Sequence, residues 1–140
     1  YSYERGVKRC KMAMLTEMVT GGKISESAYL CLKLAWIYRG AIQEAKANGA
    51  AQERISMYEK YEKEYLEDAY RGFKQARETE YPPIAGMDEN TITYLLTSIG
   101  IHCGKIDEAR RYGSALLISR TASMKLKNKT RDVLETIKKN

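Results

Sequence analysis

Apolar residues return at helical spacing along almost the whole chain, and alternation with period two is sustained nowhere, so the pattern predicts an all-α protein of about six helices. From about Tyr3 to Val19, the residues Val7, Cys10, Met14, Leu15 and Met18 share a face, and Gly21-Gly22 closes the segment. Ser25 offers an N-cap for a second helix, with the apolar face Ala28, Cys31, Leu34, Ala35, Tyr38 and Ile42, which ends near Asn48-Gly49. From about Gln52 to Thr79 runs a polar stretch that reads as one long third helix. The Tyr81-Pro82-Pro83 break ends it, because a proline drives the residue before it out of helical geometry. Glu59 with Lys63, and Glu67 with Arg71, stand four apart and can pair on its wet side. Asp88 caps a fourth helix that runs to about Cys103 and stops at Gly104. Asp107 and Glu108 open a fifth, to about Arg120, and a sixth occupies about Ser123 to Lys138.

Helix pairs that stack side by side need small residues where backbones approach and large ones in the gaps between pairs. Leu34-Ala35-Trp36-Ile37-Tyr38 resembles the first helix of a tetratricopeptide repeat, and Ala69-x-x-x-Phe73-x-x-Ala76 followed by Pro82 resembles the second. The helices between these halves are longer than the standard repeat. A weaker echo lies at Leu96, Gly104 and Ala109, where Gly100 and Gly113 replace the aromatics and Leu116 replaces the second alanine. Gly6-x-x-x-Cys10-x-x-Ala13 has the form of a second helix without its mate. The expected architecture is therefore an α-solenoid of tetratricopeptide-like antiparallel pairs.

A wider set of segments follows in order along the chain: Tyr3-Glu4-Arg5-Gly6-Val7, Leu30 to Arg39, Tyr65 to Tyr70, Met87-Asp88-Glu89, Tyr94-Leu95-Leu96 and Gly104 to Ala109. This succession is similar to the C-terminal part of the bacterial domain of unknown function 2225 family. The resemblance implies a cytoplasmic helical-repeat protein of no established activity, often preceded by a cysteine-rich, zinc-binding segment. No such segment is present here, so no metal role passes to Cys10, Cys31 or Cys103.

Composition narrows the picture further. A chain of 140 residues is long enough to bury one core without disulfide or metal, so a single domain over residues 1–140 is the expectation. Its start at Tyr1 without methionine suggests a piece of a longer protein. Eleven tyrosines against one Phe and one Trp suit helices with a half-wet face, since tyrosine can bury its ring and leave its hydroxyl in water. The net charge of +6 is compatible with an acidic partner or a nucleic acid, but the base is uneven. It concentrates at Arg5, Lys8, Arg9 and Lys11 and again at Lys125, Lys127, Lys129, Lys138 and Lys139, while acids dominate Glu59 to Asp68. Three distant cysteines without a CxxC pair read as reduced, buried thiols, in keeping with a cytoplasmic setting. No apolar run of membrane length occurs, so a spanning segment is not expected; the last helix, with Leu126, Val133, Leu134 and Ile137 opposite Lys and Arg, has the look of a membrane-surface helix but is read as a solenoid cap, so no membrane contact is expected.

Candidate chemistry is sparse. His102 adjoins Cys103, but neighbouring helical residues point about 100° apart, so they do not form a nucleophile–base pair. Asp88-Glu89 reads as a first helical turn, favoured by the helix dipole, and not as a metal or acid–base pair. Phosphate-loop, dinucleotide and hydrolase signatures do not occur. The chain is therefore expected to be no enzyme and to need no cofactor or metal. It is read as a scaffold that binds a protein or peptide in a groove lined by Tyr29, Leu32, Trp36 and Arg39 from one pair and Tyr94, Ser98 and His102 from the next. The alternative is nucleic-acid binding through the basic terminal helices. The apolar face of the unmated first helix also allows a homodimer.

Overall fold

The computed structural model describes residues 24–80 and 86–138. Among these residues stand five α-helices and no strand: α1 (Ile24–Ala47), α2 (Gln52–Thr79), α3 (Glu89–His102), α4 (Ile106–Leu117) and α5 (Met124–Lys138). The described residues are all-helical in their regular structure, as the periodicity predicts. The helix expected from Tyr3 to Val19, its Gly21-Gly22 stop and the Tyr81-Pro83 break lie outside the described residues. The described residues divide between two compact units whose boundary, between Gly72 and Phe73, falls inside α2.

The first unit is a long helical hairpin. On α1, Ala28, Cys31, Ala35, Tyr38, Ile42 and Ala45 recur every three or four residues, and all are buried. Most of that stripe is small, which lets α2 come close. At Gly72 a side chain would not fit, because a Cβ there would stand 2.7 Å from Ala28 Cβ and 3.3 Å from Ala28 Cα. From that contact the two helices run back towards their connection. Arg39 Nε donates to Glu62 Oε2 at 2.8 Å, and Tyr38 packs among the rings of Tyr58, Tyr61 and Tyr65. Ile42, Ala45 and Ile55 form a cluster sealed by Ala50 and Tyr58. Gly49 ends α1 in the left-handed conformation at φ 67°, and Ala50 N donates to Ala45 O at 2.9 Å, so the last carbonyls are satisfied.

Two local expectations are corrected here. α1 begins at Ile24, so Ser25 lies inside the first turn and is not the residue before it. The ion pairs expected along α2 are replaced: Arg71 pairs with Asp68, and Glu59 lies 4.0 Å from Lys46 of α1. The second change turns a local helix pair into a link across the hairpin.

The second unit takes the end of α2 from Phe73, together with α3, α4 and α5, and each of these last three packs against the other two. Phe73, Ala76, Ile92, Leu96 and Ala109 are fully buried, and Gly113 sits where a Cβ would meet the Leu134 side chain at 2.9 Å. Buried threonines are satisfied by the helix itself: Thr97 Oγ1 donates to Thr93 O and Thr130 Oγ1 to Leu126 O. Asp88 caps α3 by accepting from Thr91 N at 2.7 Å, and this bond holds its carboxyl below the usual range. Gly104, at φ 79°, ends α3, with Lys105 N donating to Gly100 O at 2.8 Å.

The expected reach of α4 to about Arg120 is also corrected, because the helix stops at Leu117. There, Ser119 Oγ donates to Asn90 Oδ1, and Asn90 Nδ2 donates to Thr121 Oγ1 at 2.8 Å. These bonds tie the chain to the start of α3 in place of another helical turn. Ser123 then caps α5 by accepting from Leu126 N at 3.1 Å.

Burial sets the expected cost of truncation. Phe73→Ala removes a ring with no solvent exposure and should lower stability by about 3–5 kcal/mol. Met57→Ala, at a side chain 45% exposed, should stay within about 0.5 kcal/mol of the parent in the same urea titration. Equal midpoints for the two variants would contradict this placement of the core.

Candidate functional site

The four α1 positions Tyr29, Leu32, Trp36 and Arg39 follow one another at spacings of three and four, which puts them along one helix face. They differ in what that face does with them. Leu32 is buried, at 2% exposure. Trp36, one turn further along, is 47% exposed. Tyr29 is half-buried, with Lys33 Nζ 4.7 Å from its ring centroid. Arg39 is held by Glu62 of α2, with the Glu62 side chain the more buried of the two. The result is an aromatic row with a cation at one end and an oriented ion pair at the other.

The three α3 positions, Tyr94, Ser98 and His102, stand one turn apart in the second unit. Tyr94 and Ser98 are half-buried and His102 is exposed at the last helical residue. Cys103 is the C-cap of α3, and its backbone N donates to Ile99 O at 2.9 Å.

Other side chains in each unit carry charge or exposed apolar surface. Burial, reinforced by the neighbouring hydroxyls of Tyr65, Tyr61 and Tyr58, raises the Tyr38 phenol above its ordinary range. Lys74 Nζ donates to Glu108 Oε1 at 3.0 Å, and that bond raises the Lys74 pKa. Arg77 reaches Glu89 at 3.8 Å and lies 5.3 Å from the Tyr112 ring centroid. Ile118 and Met124, at the two ends of the α4–α5 connection, are 83% and 62% exposed.

Sequence reasoning singled out neither Lys33 nor Glu62. The Lys33 contact was legible as an i,i+4 spacing with Tyr29, whereas Glu62 becomes the partner of Arg39 only once the hairpin register is known.

The recesses are shallow and of mixed polarity. One, of about 300 Å³, is bordered by Asp88, Thr121, Ser123, Lys125 and Lys129. A smaller one of about 180 Å³ is bordered by Arg77, Glu89, Asn90 and Ser119. Among the described residues no group of three or more His, Cys, Asp or Glu is placed to hold a metal ion, and no helix is long and apolar enough to cross a membrane.

The five helices, with the close Ala28–Gly72 seam between α1 and α2, place the described residues in the all-helical class. More narrowly, the chain belongs to the family described as an uncharacterized protein conserved in bacteria (DUF2225), whose model matches residues 1–137. No curated protein and no solved structure matches it.

Cys31 gives a direct test of the hairpin core. Burial is the main cause that raises its thiol pKa to about 11, with the Asp68 carboxylate adding to it and Arg71 opposing. Only the thiolate reacts, so alkylation of Cys31 by iodoacetamide near pH 8 should run about 100-fold slower in the folded protein than in urea. Peptide mass spectrometry that finds equal Cys31 labelling in both states would contradict the sealed position.

Proposed function

We propose that this chain is a helical-repeat binding module, not an enzyme, and that its α1 face holds a protein or peptide partner. The observation that carries this reading is Trp36, the single tryptophan, left 47% exposed on a rigid hairpin beside Tyr29, Lys33 and the Arg39–Glu62 pair. Half of a tryptophan surface is about 120 Å², and covering it is worth about 3 kcal/mol. That is energy a partner can gain. Tryptophan, tyrosine and arginine are the side chains that dominate binding hot spots, and an arginine already oriented by Glu62 loses less freedom on binding.

The tetratricopeptide-like reading of the architecture is supported by burial at the signature positions. Leu34, Ala35 and Tyr38 on α1, and Ala69, Phe73 and Ala76 on α2, are all buried. So are Leu96, Ala109, Gly113 and Leu116 on the shorter pair α3 and α4. On this reading α1 with α2 is one extended unit, α3 with α4 is one of ordinary length, and α5 is the polar-faced cap. Tyr94, Ser98 and His102 then line a face of the second unit's own first helix.

Selection of a random peptide library against the purified chain tests the assignment. Selected peptides should lose at least about tenfold in affinity for Trp36→Ala, the size of a hot-spot residue, while the far-ultraviolet dichroism of the variant stays that of the parent. Undiminished binding of every selected peptide to a folded Trp36→Ala protein would remove the face from consideration.

A further inference from the structure

Between Glu108 and Asp132 the chain carries seven basic residues and no acidic one. Arg120, Lys125 and Lys129 of this run are exposed and Lys127 is half-buried, and all four lie on or just after the α4–α5 connection. The same connection bears the two most exposed large hydrophobic side chains described, Ile118 at 83% and Met124 at 62%. Ile118 follows directly on Leu117, where α4 ends early because Ser119 and Thr121 are tied to Asn90. The turn is thus held in place by hydrogen bonds while an isoleucine projects from it into water. The Asp88 carboxylate borders the adjoining recess, but its Oδ1 is engaged by Thr91 N.

We propose that this turn is a peripheral membrane-contact tip that docks on an anionic lipid surface. Ile118 and Met124 enter the boundary between headgroups and acyl chains, and Arg120, Lys125 and Lys129 meet the lipid phosphates. Aliphatic side chains within a rim of lysine and arginine are the combination that an anionic bilayer rewards, since each part alone binds only marginally. A nucleic acid would meet the same charge, but it gains little from an isoleucine and a methionine and more from exposed aromatic rings for bases to stack on. Residues 117–131 contain no aromatic residue. The expectation of no membrane contact rested on the lack of a spanning segment and on reading the last helix as a solenoid cap; a peripheral tip at the turn before that helix needs no spanning segment and leaves the cap in place. This surface shares no residue with the Trp36 face, so either reading can fail without the other.

Sedimentation with sucrose-loaded vesicles of mixed phosphatidylglycerol and phosphatidylcholine, against phosphatidylcholine alone, tests it. The protein should bind the anionic vesicles only, and binding should weaken as salt rises. Ile118→Asp should reduce the bound fraction at least about fivefold, and Lys125→Glu with Lys129→Glu should do so by about tenfold or more. Trp36→Ala should leave it unchanged, and because the Ile118 side chain is 83% exposed, thermal melting should show Ile118→Asp folded as the parent. Absence of binding to anionic vesicles overturns the proposal. So does retention on duplex DNA that the lysine reversals abolish and Ile118→Asp leaves intact, which would assign the surface to nucleic acid. Self-association lost on Ile118→Asp, without vesicle binding, would assign it to a second copy and overturn the proposal equally.

Discussion

The seat of Gly72 of α2 on Ala28 of α1 is the contact on which the hairpin depends. Without a side chain at one position and with only a methyl at the other, the two backbones close to a distance that any larger pair would hold open. Glycine inside a helix costs about 1 kcal/mol relative to alanine, so its place near the end of the long helix reflects packing and not helix preference. Because both helices are rigid rods, closing them at this point sets the register along their length. The Arg39–Glu62 bond, the nesting of Tyr38 among three tyrosine rings and the Lys46–Glu59 approach all follow from that register.

What the seam buries decides what remains outside it. With its small residues turned to α2, α1 carries Trp36 and Tyr29 on another face, where Leu32 between them in sequence is buried. The partner-binding reading rests on this rigidity, because an aromatic row on a locked hairpin pays little to be ordered on binding. In the second unit the same logic works through hydrogen bonds. Asn90, Ser119 and Thr121 bind one another, α4 ends a turn sooner than its composition would allow, and Ile118 faces water instead of the core.

Much of the fold was legible because helix ends are local chemistry. The α3 cap at Asp88, the stops at Gly49 and Gly104, and both ends of α2 could be read from the residues that make them. Burial of Ala28, Cys31, Ala35 and Tyr38 followed from spacing alone. The places where reading failed are those where a distant residue decides. Glu59 was free to bond along its own helix, but the hairpin brought Lys46 to it. Leu116-Leu117-Ile118 reads as a continuous apolar run, and nothing adjacent in sequence reveals that Asn90, nearly thirty residues earlier, ends the helix within it. Of the face on α1, the residue types were legible; the burial of Leu32 and the partner of Arg39 were not, because both depend on what packs against the helix.

The seam itself can be tested by moving its one methyl group from α1 to α2. Stability would be measured by urea denaturation for Ala28→Gly, for Gly72→Ala and for the protein carrying both changes. If the two positions share a single space, the clash introduced by Gly72→Ala is relieved when Ala28 loses its Cβ, and the double variant is more stable than the sum of the separate effects by about 1 kcal/mol or more. Additive effects, agreeing within about 0.5 kcal/mol, would contradict the close approach of the two helices and with it the register that positions the α1 face.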